Sequence, residues 1–102
     1  MHRYKAIVDR IVDGDTLVLL VDVGFSITIK EKFRLNYINA PELSTDQGQK
    51  VKQIVIDKLQ GKSIEISCEG KDKYGRWLAV IYLEGTNINQ WLLDNAYAVK
   101  YQ

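Results

Sequence analysis

The chain has 102 residues, 46% of them hydrophobic and 26% charged, a mix that suits one globular domain and excludes disordered and fibrous classes. One cysteine and one histidine exclude a disulfide framework and a structural zinc site. With 14 Lys and Arg against 13 Asp and Glu the net charge is +1, so any case for nucleic-acid binding must come from local placement of charge.

No apolar run approaches the ~18 residues of a membrane span. Met1-His2-Arg3-Tyr4-Lys5 leads straight into an alternating segment with no signal-peptide core. The expectation is a soluble domain over residues 1–102, cytoplasmic or of unassigned compartment, with monomer and homodimer both open.

Strand character runs from Tyr4 to Asn36, through Ala6-Ile7-Val8 and Ile11-Val12, then Leu17 to Val23, then a long third segment. In that segment Phe25, Ile27, Ile29, Phe33 and Leu35 share one parity, while Ser26, Thr28, Lys30, Lys32, Arg34 and Asn36 share the other. This period of two predicts a half-buried strand with a polar face. Asp13-Gly14 and Gly24 stand where hairpin turns belong. A loop from Tyr37 to Thr45 holds the single proline, Pro41. Val51, Ile54, Val55 and Leu59 then recur at helical spacing, which predicts a helix over 46–60. Ser44 and Gln47 have the spacing of a capping box, and Gly61 suits the residue after the helix end. Ile64, Ile66 and Cys68 alternate with Glu65, Ser67 and Glu69, a further strand in which the thiol counts as a small apolar residue. A charged turn, Gly70 to Gly75, leads to an apolar strand from Arg76 to Leu83. Asn87 can cap a short helix with a stripe of Ile88, Trp91, Leu92 and Ala96, and Tyr97 to Gln102 reads as extended. Three strands, a helix, two strands and a short helix match a five-stranded Greek-key OB-type barrel, and equally a generic α+β sheet.

Three segments concentrate unusual chemistry. Asp13-Gly14 satisfies a hairpin turn by itself, whereas Asp15, a carboxylate at the first position of the next strand, is not required by the turn. In the second segment Arg34 lies on the polar parity, and Pro41 stiffens the loop that carries Asn39, Ala40 and Glu42. The Asn39 side chain, the Ala40 carbonyl and Glu42 are hard oxygen donors of the kind Ca²⁺ or Mg²⁺ prefers; the same loop also reads as a rigid turn with one surface acid. In the third, Lys71-Asp72-Lys73-Tyr74-Gly75-Arg76, an arginine closes a charged loop at the start of an apolar strand. A guanidinium binds phosphate through paired donors in a plane, which lysine cannot reproduce. Two arginines, a carboxylate base and an oxygen-rich cation site are what phosphodiester hydrolysis asks for.

On these residues the chain resembles the staphylococcal (micrococcal) nuclease, or thermonuclease, family. The resemblance rests on Asp13-Gly14-Asp15-Thr16, Phe33-Arg34-Leu35, Ala40-Pro41-Glu42 and Asp72-Lys73-Tyr74-Gly75-Arg76, four short motifs in the family's order over nearly the whole chain. It implies an OB-fold barrel with a Ca²⁺-dependent endonuclease and exonuclease site acting on DNA and RNA. By position, Asp15 would be a calcium ligand with Asp13 close behind it. Asn39 stands where the family usually has an aspartate ligand, and Ala40 would offer its carbonyl. Glu42 would be the general base, Arg34 and Arg76 would grip the scissile phosphate, and Lys73 and Tyr74 would touch a neighbouring phosphate. Tyr101 would stack on a base or pack on the barrel. Asn39 removes one negative charge from the family's pattern, and the loop after Glu42 is several residues shorter. The alternative reading is a barrel of the same family that binds nucleic acid or protein without cleaving; retention of Arg34, Glu42 and Arg76 favours the enzyme.

Overall fold

The computed structural model describes residues 2–101. Tyr4–Asp13 (β1), Thr16–Asp22 (β2) and Thr28–Leu35 (β3) form an antiparallel meander. After Ile38–Asn39 (β4) and the helix Asp46–Leu59 (α1), Ser63–Lys71 (β5) pairs with β1, and Trp77–Leu83 (β6) pairs with β5. The ring closes where β3 and β6 run parallel, Phe33 opposite Trp77, Arg34 opposite Leu78 and Leu35 opposite Ala79. The result is a closed five-stranded barrel in OB-type strand order, and the generic α+β sheet is excluded. Thr86–Asn87 (β7), Ile88–Asp94 (α2) and Val99–Lys100 (β8) complete the chain, and β8 pairs antiparallel with β4.

The barrel is held by its inward residues. Leu17, Leu19, Leu35, Ile66 and Ile81 are fully buried, each contributing about 1.5–3 kcal/mol of transfer free energy. α1 adds Val51, Val55 and Leu59 to the same core. Its N-cap is Thr45, whose hydroxyl accepts from Gly48 N at 2.9 Å. The Ser44–Gln47 capping box predicted from spacing does not form; the helix starts one residue later and Gln47 is exposed. At the other end Gly61 takes φ +76, the left-handed conformation expected after a helix. Asn87 caps α2 by accepting from Gln90 N at 3.0 Å. α2 ends at Asp94, so Ala96 leaves the predicted stripe and turns the chain with φ 59.

The third predicted strand is shorter than its alternation. Phe25 and Ser26 have φ of 55 and 60 and form the hairpin tip, and β3 starts at Thr28. Of the residues assigned one buried parity, Phe33 and Leu35 are buried while Phe25 (97% exposed), Ile27 and Ile29 are not. The physical reason is that β6 joins β3 only from Phe33 onward, so the first half of β3 has a neighbour strand on one side alone. The β1–β2 turn also differs from expectation. Asp13 pairs with Thr16, which puts Gly14 and Asp15 in the turn itself and not Asp15 on the strand.

Gly48 is the position where α1 meets the loop before it. A Cβ there would collide with the Glu42 carbonyl oxygen, a backbone atom that cannot step aside cheaply. Alanine in a helix interior gains about 0.8–1 kcal/mol over glycine, whereas forcing atoms into a filled space costs about 1–3 kcal/mol. Gly48→Ala is therefore expected to destabilise the protein and displace Glu42. A urea midpoint equal to or above that of the parent protein would contradict this.

Candidate active site

The β1–β2 turn carries Asp15 inward beneath the 39–42 loop. It can do so because Gly14 has no side chain: a Cβ would lie 2.8 Å from Ala40 Cβ and 2.8 Å from Val51 Cγ1. Asp15 is 8% exposed. Its Oδ2 accepts from Ala40 N at 2.9 Å, and its Oδ1 accepts from Thr16 Oγ1 at 3.2 Å. Asp13 Oδ1 accepts from Asp15 N at 3.0 Å, so the two acids lie side by side. Burial pushes the Asp15 carboxyl above its ordinary 3.8, and its bond and charge contact with Asp13 add to the rise; the Ala40 amide and Arg34 oppose it.

Arg34 stands on the outer face of β3 and turns its guanidinium toward this loop. Nη1 donates to Leu35 O at 2.7 Å and Ile38 O at 2.8 Å, and Nη2 donates to Asn39 Oδ1 at 3.0 Å. Nη2 also lies 3.5 Å from Asp15 Oδ2. The pairing of Ile38 with Lys100 and Asn39 with Val99 lays the tail beside Arg34, and the Tyr101 ring comes within 5.2 Å of the guanidinium carbon.

Arg76 precedes β6 and is held from its own loop. Asp72 Oδ1 accepts from Tyr74 N at 2.9 Å and from Arg76 N at 3.0 Å, while its Oδ2 accepts from Arg76 Nε at 2.8 Å. Arg76 Nη1 then reaches across the barrel seam to Thr16 Oγ1 at 3.4 Å. Thr16 thus links Arg76 to Asp15. Arg34, Arg76, Lys73, Tyr74 and Tyr101 line one cleft of about 310 Å³. Asn39, Ala40 and Glu42 line a second, of about 300 Å³, with Tyr97 and Gln47. The Arg34–Asn39 bond joins the two. Glu42 is exposed in the second cleft and does not share the first with the arginines.

The candidate donors on these two loops are all oxygen: the Asp15 carboxylate and, on the 39–42 loop, the Asn39 amide, the Ala40 carbonyl and the Glu42 carboxylate. That chemistry fits a hard divalent cation in kind. It is a sparse set, since among the described residues no three His, Cys, Asp or Glu side chains cluster as metal ligands. Asn39 Oδ1 would have to leave Arg34 to serve a cation.

Residues 32–102 match the staphylococcal nuclease homologue family. The chain belongs to that family. It is 40% identical over 93 residues to an uncharacterized endonuclease of Haemophilus influenzae, covering 91% of this chain and 50% of the relative. It is 31% identical over 108 residues to a micrococcal nuclease of Shigella flexneri, covering 97% of this chain and 59% of that protein. An Escherichia coli O157:H7 uncharacterized endonuclease is 31% identical over 94 residues, 91% of this chain and 58% of the relative. The chain thus spans between half and three-fifths of the length of these relatives.

Two residues of the site escape a reading of sequence alone, Thr16 and Asp72. Asp72 carried a signal, as an acid four residues before an arginine across a glycine turn. Desolvation pulls the Asp72 carboxyl upward, but the backbone donors of Arg76 and Tyr74 and the Arg76 guanidinium outweigh it, leaving the pKa below 3.8. A carboxyl with a depressed folded pKa contributes order that is complete above the ordinary value and lost as pH falls through the folded one. The Tyr74 and Arg76 amide resonances are therefore expected to shift together with a midpoint below pH 3.8. A midpoint at or above that value would mean the clamp does not act through the charged carboxylate.

Proposed function

We propose that this chain hydrolyses phosphodiester bonds of DNA or RNA in the Arg34–Arg76 cleft. The observation that carries this reading is the convergence of two guanidinium groups and two tyrosines from separate segments on one cleft. The names of the relatives, endonuclease and micrococcal nuclease, support it. Arg34 and Arg76 take the nonbridging oxygens of the scissile phosphate, and Tyr74 and Tyr101 lie against the adjoining sugar and base. Glu42, reaching from the adjoining cleft that the Arg34–Asn39 bond joins to this one, accepts a proton from water as the water oxygen bonds to phosphorus. The bond from phosphorus to the departing sugar oxygen breaks, and Arg76 stabilises the charge that develops there. Ca²⁺, held by Asp15, Asn39 and the Ala40 carbonyl, would supply further positive charge against the phosphate. Arg34 exchanges its present partners for phosphate, since its Nη atoms already donate to two carbonyls and to Asn39.

A second reading is that the barrel binds nucleic acid without cleaving it. Asn39 in place of a charged ligand and the separation of Glu42 from the arginine cleft favour it. Incubating single-stranded DNA with Ca²⁺, Mg²⁺ or excess chelator separates the two. Cleavage that needs a divalent cation supports the nuclease, cleavage undiminished in chelator sinks the metal site, and retention without cleavage supports the binding module.

Arg76→Lys keeps the charge and loses the paired donors, so kcat should fall about 10²–10³-fold with the fold intact. Arg34→Lys should lose activity to a similar extent and stability as well, because one ammonium cannot serve the Leu35 and Ile38 carbonyls and Asn39 together. Near-full kcat in either variant would remove that arginine from the mechanism.

Asn39→Asp adds a charged ligand with little change of shape. It should tighten Ca²⁺ from the ~10⁻⁴–10⁻³ M range of sparse sites. Calorimetric titration of both proteins reads this directly, and equal affinities would place Asn39 outside the metal's ligands.

A further inference from the structure

The sheet register places two more cations beside the arginine cleft. Leu17, Leu19, Phe33 and Leu35 point into the core, so Thr16, Val18, Lys32 and Arg34 share the other face of β2 and β3, where Thr16 and Val18 are covered by their neighbours, Arg34 is half-buried and Lys32 is exposed. Across that face Asp13, Thr16 and Arg34 form one row, and Arg10, Val18 and Lys32 form the next. Arg76 reaches Thr16 in the first row, one step from Val18. Lys32 therefore follows Arg34 on the same face at the two-residue repeat of a strand, about 6.6 Å, the scale of one nucleotide step in an extended single strand. Arg10 lies beyond Val18, on β1.

Neighbouring charges leave these two cations free. Among the described residues Asp13 in the first row forms no ion pair with either cation, and Glu31 lies on the opposite parity. In the following row Lys30 lies 3.5 Å from Asp9 Oδ2, so its charge is offset. Among the described residues, Lys32 and Arg10 have no carboxylate within ion-pair distance, and both are exposed. The net charge of +1 conceals this band because acids elsewhere balance it.

We propose that Lys32 and Arg10 extend the site across β3, β2 and β1, holding phosphates of a nucleic-acid single strand on one side of the scissile bond. The proposal rests on the reading of the Arg34–Arg76 cleft as the phosphodiester site. It uses the strand 2–3 face on which OB barrels bind oligonucleotides, and contacts of this kind fix register without reading sequence.

The test is binding of a fluorescein-labelled 12-nucleotide single strand, by anisotropy against salt in chelator, to the parent protein and to the Lys32→Gln/Arg10→Gln variant. Each lost phosphate contact should reduce the slope of log K against log salt by about 0.7. Two contacts give a slope about 1.4 shallower, which is about 25-fold weaker binding at 0.1 M salt. A Lys58→Gln/Lys62→Gln variant removes the same net charge at the end of α1 and should leave the slope as in the parent. An unchanged slope in the first variant, an equal shift in the second, or a parent protein that does not bind the strand overturns the proposal. Cleavage assays on the same strand keep the two readings apart. A shallower slope without cleavage retains the path and removes the hydrolytic mechanism, whereas cleavage with an unchanged slope removes the path alone.

Discussion

The guanidinium of Arg34 is the point on which the loops of this protein depend. It is largely buried, as is its partner Asp15, and its fan of donors gathers the Leu35 and Ile38 carbonyls and the Asn39 amide oxygen. Those acceptors bracket the turn between β3 and β4, where Tyr37 takes φ 69. Without the arginine, two carbonyls and a buried carboxylate would be left short of partners, a cost of about 1–3 kcal/mol for each unsatisfied group. A charged pair held this way is expensive to desolvate and contributes less to stability than its geometry suggests. Its role is better explained by what it positions: the 39–42 loop on one side and an open cleft on the other.

Two glycines make that positioning possible by subtraction. Gly14 lets the β1–β2 turn slide under Ala40 and against Val51, and Gly48 lets the Glu42 carbonyl rest on the first turn of α1. Backbone is thereby packed against the Ala40 and Val51 side chains at Gly14 and against backbone at Gly48. Asn89 performs the corresponding task for α2, its amide donating to Asn36 O and Ala79 O while its carbonyl accepts from Ile81 N. The rims of the site are thus built from close approaches and buried polar bonds, and the barrel interior from aliphatic packing.

This division explains what could be read in the sequence. Barrel strands and α1 announce themselves because burial of one face imposes a period, and Val51, Val55 and Leu59 or Ile64 and Ile66 obey it. The period misled where burial stops short of the strand: Phe25, Ile27 and Ile29 keep the alternation of Phe33 and Leu35, yet no strand of the barrel flanks them on the second side. The turn from Asp13 to Thr16 was legible as a turn but not in register, since one residue of slip moves Asp15 from strand to loop. Chemical side chains such as Arg34 and Arg76 stand out by type and motif. Thr16 and Asp72 do not, because their roles consist of a hydrogen bond across the seam and a clamp within a loop, and neither leaves a periodic trace. The division of Arg34, Arg76 and Glu42 between two clefts is likewise a property of how loops pack.

The parallel junction of β3 with β6 closes the barrel between strands separated in the chain by α1 and β5, and within the barrel the β1–β5 pairing spans still more of the chain. The β1–β2, β2–β3 and β5–β6 pairings are local hairpins, whereas β1–β5 and β3–β6 are non-local, and loop-closure entropy makes such contacts late to form. Arg34 and Arg76 lie on opposite banks of that junction. Until the ring shuts, one bank holds an arginine with its acid and the other an arginine with its clamp, each locally complete and not yet sharing a cleft. Formation of the arginine cleft and completion of the fold are thus a single event in this chain, and a half-zipped barrel would lack the cleft.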